Sequence, residues 1–297
     1  MQGASSYAGL VDQAFWYILG VSALLLVGIT AVMIGFAVRY SRKRNPNPSQ
    51  IHGSVLLETL WTVIPTLLVL TMFWYGWTGF RVMRTVPADA LPIKVTARMW
   101  SWSFEYPDGR KSPELVVPAG RPVKVLLESQ DVIHSFFVPA FRVKEDAMPG
   151  RVNHAWFQSD KPGEYDLFCA EYCGDQHSRM LSKVRVLPAA EYAVWQANPP
   201  ALLTGPDLLA AKGCTSCHSL DGSRLVGPSF KALAGRRETV TSGGVDKEIS
   251  VDEAYVRRSI LEPKADLVKG YDPVMPEQRS QLTDDELDEI VRTLLGL

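Results

Sequence analysis

Three kinds of patterning follow one another along this chain. From Ala14 to Val38 no charge interrupts 25 positions, a run longer than the about 20 residues a helix needs to cross a bilayer. A second apolar run spans about Val55 to Trp77, with Pro65 as an expected kink and Glu58 near its start. Between them, Arg39-Tyr-Ser-Arg42-Lys43-Arg44 concentrates positive charge in a short loop. The positive-inside rule puts that loop in the cytoplasm and both chain termini on the outer side. Trp16, Tyr17, Trp74, Tyr75 and Trp77 fall near the outer interface, where amphipathic rings settle. A secretory leader fits poorly, because the run is too long and its positive charge follows it. Residues 1–80 therefore read as a transmembrane hairpin with spans at about 14–38 and 55–77.

From residue 81 the period shortens. Residues 93–97, 99–106, 123–128, 134–138, 154–157, 163–168 and 182–187 read as strands, separated by turns at Pro107-Asp-Gly, Pro118-Ala-Gly, Met148-Pro-Gly and Lys161-Pro-Gly. Many short strands at this spacing predict a sandwich or small barrel over 81–190. Residues 191–205, with Asn198-Pro-Pro, read as a linker. Residues 206–297 read as helical, from a short helix at 206–212 to a closing helix that Thr283 caps and Asp284–Glu286 favour. Residues 236–250, with Thr241-Ser-Gly-Gly, read as a surface loop of no assigned role.

Charge adds little to this. The net charge is −1, so nothing marks a nucleic-acid partner, and the acidic excess sits in the last third of the chain.

Chemistry is concentrated in the four cysteines. Cys169-Ala-Glu-Tyr-Cys173-Gly-Asp-Gln-His177-Ser-Arg-Met180, with His134 upstream, offers soft sulfur and imidazole donors. His134, Cys173, His177 and Met180 alone would make a single-copper electron-transfer site. Cys169 adds a second thiolate, so two sulfurs can bridge two metal ions with one His on each. A Cys169–Cys173 disulfide would leave the His177/Met180 spacing and His134 unexplained, and a thioether is a poor zinc ligand. The second motif, Cys214-Thr-Ser-Cys217-His218, is the spacing for covalent attachment of a c-type haem. No second cysteine pair completes a zinc site, and no strand–helix–strand context suits a thioredoxin-like pair. His218 would be the proximal ligand. Met275 is the only methionine after residue 200 and stands in the rigid Asp272-Pro-Val-Met275-Pro276, so it is the distal candidate. Such His/Met ligation suits electron transfer.

Over residues 11–190 the chain resembles subunit II of the haem–copper cytochrome c oxidases. The resemblance rests on the hairpin with Glu58-Thr-Leu-Trp-Thr-Val-Ile-Pro65, on Trp100-Ser-Trp102-Ser-Phe104-Glu-Tyr106, on Asp131-Val-Ile-His134-Ser-Phe-Phe-Val-Pro139, on Asp146-Ala-Met-Pro-Gly-Arg151 and on the copper loop. It implies a cupredoxin-like Greek-key fold and a binuclear copper A centre bridged by Cys169 and Cys173. His134 and His177 complete that centre, with Met180 and the Glu171 carbonyl as weak ligands. It also implies a magnesium ion shared with subunit I through the Glu171 side chain. Trp100 matches the family's surface tryptophan through which electrons enter, though the run here is Trp-Ser-Trp where many relatives have Trp-Tyr-Trp. Glu58 matches the cytoplasmic mouth of a proton pathway into subunit I.

Residues 206–297 resemble class I bacterial cytochromes c, an all-α fold, with Val226-Gly-Pro228 matching the loop whose proline carbonyl accepts the proximal histidine N–H. Together these imply a caa3-type multi-domain membrane protein of the bacterial plasma membrane, its copper and haem domains outside. The partners implied are subunit I, subunit III, membrane lipid, and an upstream donor such as a quinol–cytochrome c reductase type complex or small redox protein. A nitric oxide reductase subunit, a quinol oxidase subunit and a membrane-anchored cupredoxin–cytochrome carrier are the alternatives. The full copper ligand set and the haem motif disfavour the quinol oxidase.

Overall fold

A computed structural model describes residues 3–47, 52–198, 203–279 and 282–297. The contacts divide the chain into two compact units, residues 1–88 with 140–142, and residues 89–139 with 143–297.

In the first unit the two apolar runs form long helices, α1 (Ala8–Arg39) and α2 (Val55–Arg84), each long and apolar enough to cross a membrane. Their outer faces are almost wholly exposed, as a lipid-facing pair requires. Tyr17 joins them, its hydroxyl 2.5 Å from Thr71 Oγ1 and its ring 4.9 Å from that of Tyr75. Ser54 caps α2 by accepting the Leu57 N–H, and Glu58 occupies the first turn. Pro65 lies inside a helix that runs on to residue 84. Arg142 Nε donates to Asp12 Oδ1 of α1 at 2.7 Å.

The second unit opens with ten strands: β1 (Leu91–Arg98), β2 (Ser101–Glu105), β3 (Lys111–Ser112), β4 (Leu115–Pro118), β5 (Val123–Ser129), β6 (His134–Val138), β7 (Val143–Ala147), β8 (Asn153–Phe157), β9 (Gly163–Cys169) and β10 (Leu181–Leu187). They form two five-stranded sheets, ordered β3-β2-β1-β5-β8 and β4-β10-β9-β6-β7. The parallel pairs β1/β5 and β4/β10 sit within an otherwise antiparallel arrangement, so the chain crosses between sheets as a Greek key does. Alternation drives the folding of this region: β1 and β5 bury every second residue, and Ile93, Val95, Val125 and Leu127 are fully enclosed.

Two stretches differ from expectation. The linker region begins as helix α3 (Ala189–Ala197), because its aromatic residues have a surface to pack on. Trp195 meets Tyr106 at 4.9 Å, and the Arg110 guanidinium covers the Trp195 ring while donating to the Trp195 and Gln196 carbonyls. Pro199 and Pro200 lie outside the described residues.

The C-terminal segment is mainly helical, with α4 (Gly205–Ala211), α5 (Glu253–Leu261) and α6 (Asp284–Gly296) around a core that includes Leu209, Val256, Ile290 and Val291. It is not all-α, however. Residues 236–250 form a hairpin, β11 (Arg237–Ser242) and β12 (Val245–Ser250), against which β13 (Leu267–Val268) pairs. Gly243 and Gly244, both at positive φ, make the two-residue turn that such a hairpin favours. A capping box starts α6: the Thr283 hydroxyl accepts the Glu286 N–H, and the Glu286 carboxylate accepts the Thr283 N–H.

Candidate metal centre

The pairing of β6 with β9 sets Phe136 opposite Cys169, so His134, two residues earlier on β6, points to the same face as Cys169. The chain then turns through residues 170–180 and returns as β10, carrying Cys173, His177 and Met180 back over that face. The two sulfurs of Cys169 and Cys173 stand 3.8 Å apart, and both residues are free thiols. His134 Nδ1 lies 3.9 Å from Cys169 Sγ, and His177 Nδ1 lies 3.4 Å from Cys173 Sγ. Met180 Sδ is 3.9 Å from Cys173 Sγ on a fully buried side chain, and the Glu171 carbonyl is 3.2 Å from Cys169 Sγ. Two thiols with one imidazole each, a thioether and a carbonyl converge here, a donor set soft enough for copper.

Electrostatics prepare the pair for a cation. Burial pushes the Cys169 thiol up, but hydrogen bonding to His134 and to the backbone around Ser135 and Glu171 outweighs it and brings it down to about 6. Burial and the neighbouring Cys169 thiolate push Cys173 up to about 12. The pair is thus biased toward holding one negative charge, and metal binding would release the protons that remain. His134 Nε2 donates to Asp131 Oδ1 at 2.8 Å, which leaves Nδ1 as the metal-facing nitrogen. Burial raises the Asp131 carboxyl, yet His134 and the Met99 and Val132 N–H groups hold it below its ordinary value.

A second site lies in the C-terminal segment. Cys214, Cys217, His218 and Met275 line one largely apolar pocket, together with Phe230 and Ile260. His218 Nδ1 donates to the Pro228 carbonyl at 2.7 Å, and its ring stacks on Phe230 with centroids 4.4 Å apart. A Cβ at Gly227 would meet three atoms of the His218 ring at 2.4–2.9 Å, so only glycine lets that ring lie flat in place. Burial lowers the His218 pKa, although its bond to Pro228 opposes this, so the neutral ligand form is favoured. The thiols are also held protonated, Cys217 at about 11, chiefly by burial. A lining that is largely apolar and includes two cysteines, one histidine and one methionine is of the chemistry that would hold a haem.

The remaining candidates separate. Trp100 is not a surface residue here: it is 6% exposed, and its Nε1 donates to the Cys173 carbonyl at 2.9 Å. The C-terminal segment reaches it, as the Ser216 hydroxyl donates to the Trp100 carbonyl at 3.3 Å. Glu171 is exposed on the copper loop, and Glu58 belongs to the other unit. His154 lies on β8 opposite Leu126, apart from the cluster. Two residues to which the sequence reading gave no role prove to matter. Asp131 orients His134, and Arg98 binds atoms of the C-terminal segment through its guanidinium. Asp131 stands three residues before His134 and was within reach of a local reading. Gln278, an Arg98 partner, is 180 positions away and was not.

Comparison with known proteins identifies the family. The family described as the transmembrane domain of cytochrome c oxidase subunit II matches residues 1–77, and the one described as its periplasmic domain matches residues 110–187. Cytochrome c oxidase subunit 2 of Alkalihalophilus pseudofirmus is 32% identical over 292 residues, covering 90% of this chain and 84% of the relative. That of Thermostichus vulcanus is 29% identical, covering 68% of this chain and 79% of the relative. A crystal structure of the periplasmic domain of subunit II of cytochrome oxidase from Bradyrhizobium japonicum is 37% identical, covers 39% of this chain and 96% of that one, and has a TM-score of 0.37. The chain belongs to the cytochrome c oxidase subunit II family, membrane-anchored by two helices and bearing the copper A domain of an oxidoreductase complex.

Proposed function

We propose that this chain is the electron-input subunit of a proton-pumping, caa3-type cytochrome c oxidase and carries its own covalent haem c. Bound haem c and copper A would each supply reversible one-electron storage, relaying electrons toward haem in subunit I, where oxygen is reduced to water. Cys169 and Cys173 would bridge two coppers, with His134 and His177 as end ligands and Met180 and the Glu171 carbonyl as weak ones. The exposed Glu171 side chain would take part in a magnesium site shared with subunit I. Cys214 and Cys217 would tether the haem, with His218 proximal and Met275 distal, in a cytochrome c domain spanning 206–297. The pocket's apolar lining would help exclude water from a bound haem, and the bond from His218 Nδ1 to the Pro228 carbonyl leaves Nε2 as the nitrogen that would serve it. Glu58, in the first turn of α2, is the candidate for the mouth of a proton path. Subunits I and III, an upstream electron donor and bacterial plasma-membrane lipid are the partners. Coverage of 90% of this chain by the Alkalihalophilus relative extends that match into the C-terminal segment, which supports treating the haem motif as part of the subunit.

One observation carries the reading: two sulfurs 3.8 Å apart, each with one imidazole nitrogen on it. Electron paramagnetic resonance of the oxidised, copper-loaded chain tests it. Hyperfine splitting from one electron shared equally by two coppers is the expected result. A single-copper pattern would remove Cys169 as a bridge and leave a tethered cupredoxin–cytochrome carrier.

A further inference from the structure

The end of β1 touches both sites at once. Met99 N–H donates to Asp131 Oδ2 at 2.7 Å, and Asp131 holds His134. Trp100 Nε1 donates to the Cys173 carbonyl. On its other side the same segment forms a wall of the pocket that contains Cys214, Cys217, His218 and Met275, to which Arg98 and Met99 contribute.

Arg98 is the centre of that contact. Its Nε donates to Ser101 Oγ at 3.2 Å, which aims the fork. Nη1 donates to Gln278 Oε1 at 2.7 Å, and Nη2 donates to the Lys212 carbonyl. Gln278 is itself buried, and its Nε2 donates to the Pro276 carbonyl, next to Met275. Lys212 stands two residues before Cys214. One guanidinium therefore grips the C-terminal segment on both flanks of its pocket. Between these grips the backbone approaches closely: a Cβ at Gly213 would meet Ser101 Oγ at 2.8 Å.

We propose that Arg98 is a positioning residue that clamps the C-terminal domain against the Trp100 segment, where Ser216 donates to the Trp100 carbonyl, so that this domain, and no separate carrier protein, occupies that face. The guanidinium suits the task because its fork reaches three neutral acceptors at once, the Ser101 hydroxyl, the Gln278 amide oxygen and the Lys212 carbonyl, and a lysine lacks that fixed fork. The clamp rests on the functional reading above only for what the two sites hold; the contact itself stands on the hydrogen bonds.

Hydroxyl-radical footprinting of the full-length holo chain, read by mass spectrometry, tests it. Tyr172, 73% exposed, is the internal reference. Trp100 is expected to be modified far more slowly than Tyr172 in the unaltered chain. Loss of the hydrogen bonds that the charged guanidinium makes should speed Trp100 modification by about tenfold or more in Arg98→Ala while leaving Tyr172 unchanged. Gln278→Ala breaks the same contact from the other side without touching the barrel and should act in the same direction. Protection of Trp100 in both variants equal to that of the unaltered chain overturns the clamp, as does modification of Trp100 at the Tyr172 rate before any substitution. The pyridine haemochrome spectrum of the same samples reports separately on covalent haem. Its absence would overturn the haem assignment and leave the clamp to be decided by the footprint.

Discussion

A single hydrogen bond, from His134 Nε2 to Asp131, decides which imidazole nitrogen faces the two sulfurs. Asp131 accepts in addition from Met99 N–H and Val132 N–H, so its carboxylate is fixed and in turn fixes the ring. Loss of such an orienting partner typically costs about 10–100-fold in metal affinity. Asp131→Asn is therefore expected to weaken copper binding by about that factor while the ligand set stays complete, as measured by chelator competition. Unaltered affinity would mean that packing alone holds His134. At this scale the sequence was most informative where the donors are close in the chain. Cys169, Cys173, His177 and Met180 fit within twelve positions, so their spacing alone suggested the cluster. Residues that work by distant contact left no such trace. Nothing local to Arg98 announces Gln278, and nothing local to Trp100 announces that Ser216 reaches it. Neither contact was therefore foreseen.

Among the elements, strong periodicity was legible and weak periodicity was not. The apolar runs gave both long helices, and short β-type runs between Pro and Gly turns gave β1, β2, β5, β6, β8, β9 and β10. The short β4 reads as four consecutive buried residues ending in proline, a pattern that periodicity alone cannot place. The β11–β12 hairpin escaped because it buries little: Val240 is enclosed, while β12 is almost entirely exposed. Its Gly-Gly turn was visible, but the flanking strands lacked the apolar alternation that would have identified them.

Helix α6 shows the opposite case, a start signal written in Thr283 and Glu286 and realised as a capping box. Glu286 also pairs with Lys212 Nζ at 2.6 Å, tying α6 to the residue that ends α4. Burial tends to raise the Glu286 pKa, but Lys212 and the Thr283 N–H bring it below the ordinary 4.5. A depressed carboxylate contributes stability that is complete above its unfolded value and lost as pH falls through its folded value. Glu286→Gln keeps the cap, since glutamine also serves at that position, and removes the ion pair. The expected outcome is a loss of about 1 kcal/mol near neutral pH, with the two chains converging below about pH 4.5. Calorimetric unfolding of the holo chain across that range measures it. A difference that persists unchanged in acid would assign the effect to packing.

For the molecule as a whole, the consequence of carrying both sites on one chain is kinetic. A tethered domain meets its target at an effective concentration fixed by the tether, whatever the bulk concentration. Charge steering, which speeds the encounter of separate proteins, then has little to add. The contacts seen between the two regions agree with this. Arg98 meets an amide and a carbonyl, and Ser216 meets a carbonyl, so in these contacts one charge faces neutral acceptors. Screening acts on separated exposed charges, and the Debye length shrinks from about 30 Å at 0.01 M to about 3 Å at 1 M. Haem-to-copper electron transfer within the isolated, fully loaded chain is therefore expected to be nearly independent of ionic strength across that range. Flash-initiated reduction of the haem, followed by its reoxidation, gives the rate directly. A steep fall with salt would mean that the C-terminal domain finds Trp100 by charge attraction from an undocked state, and that the neutral grip of Arg98 is too weak to hold it there between turnovers.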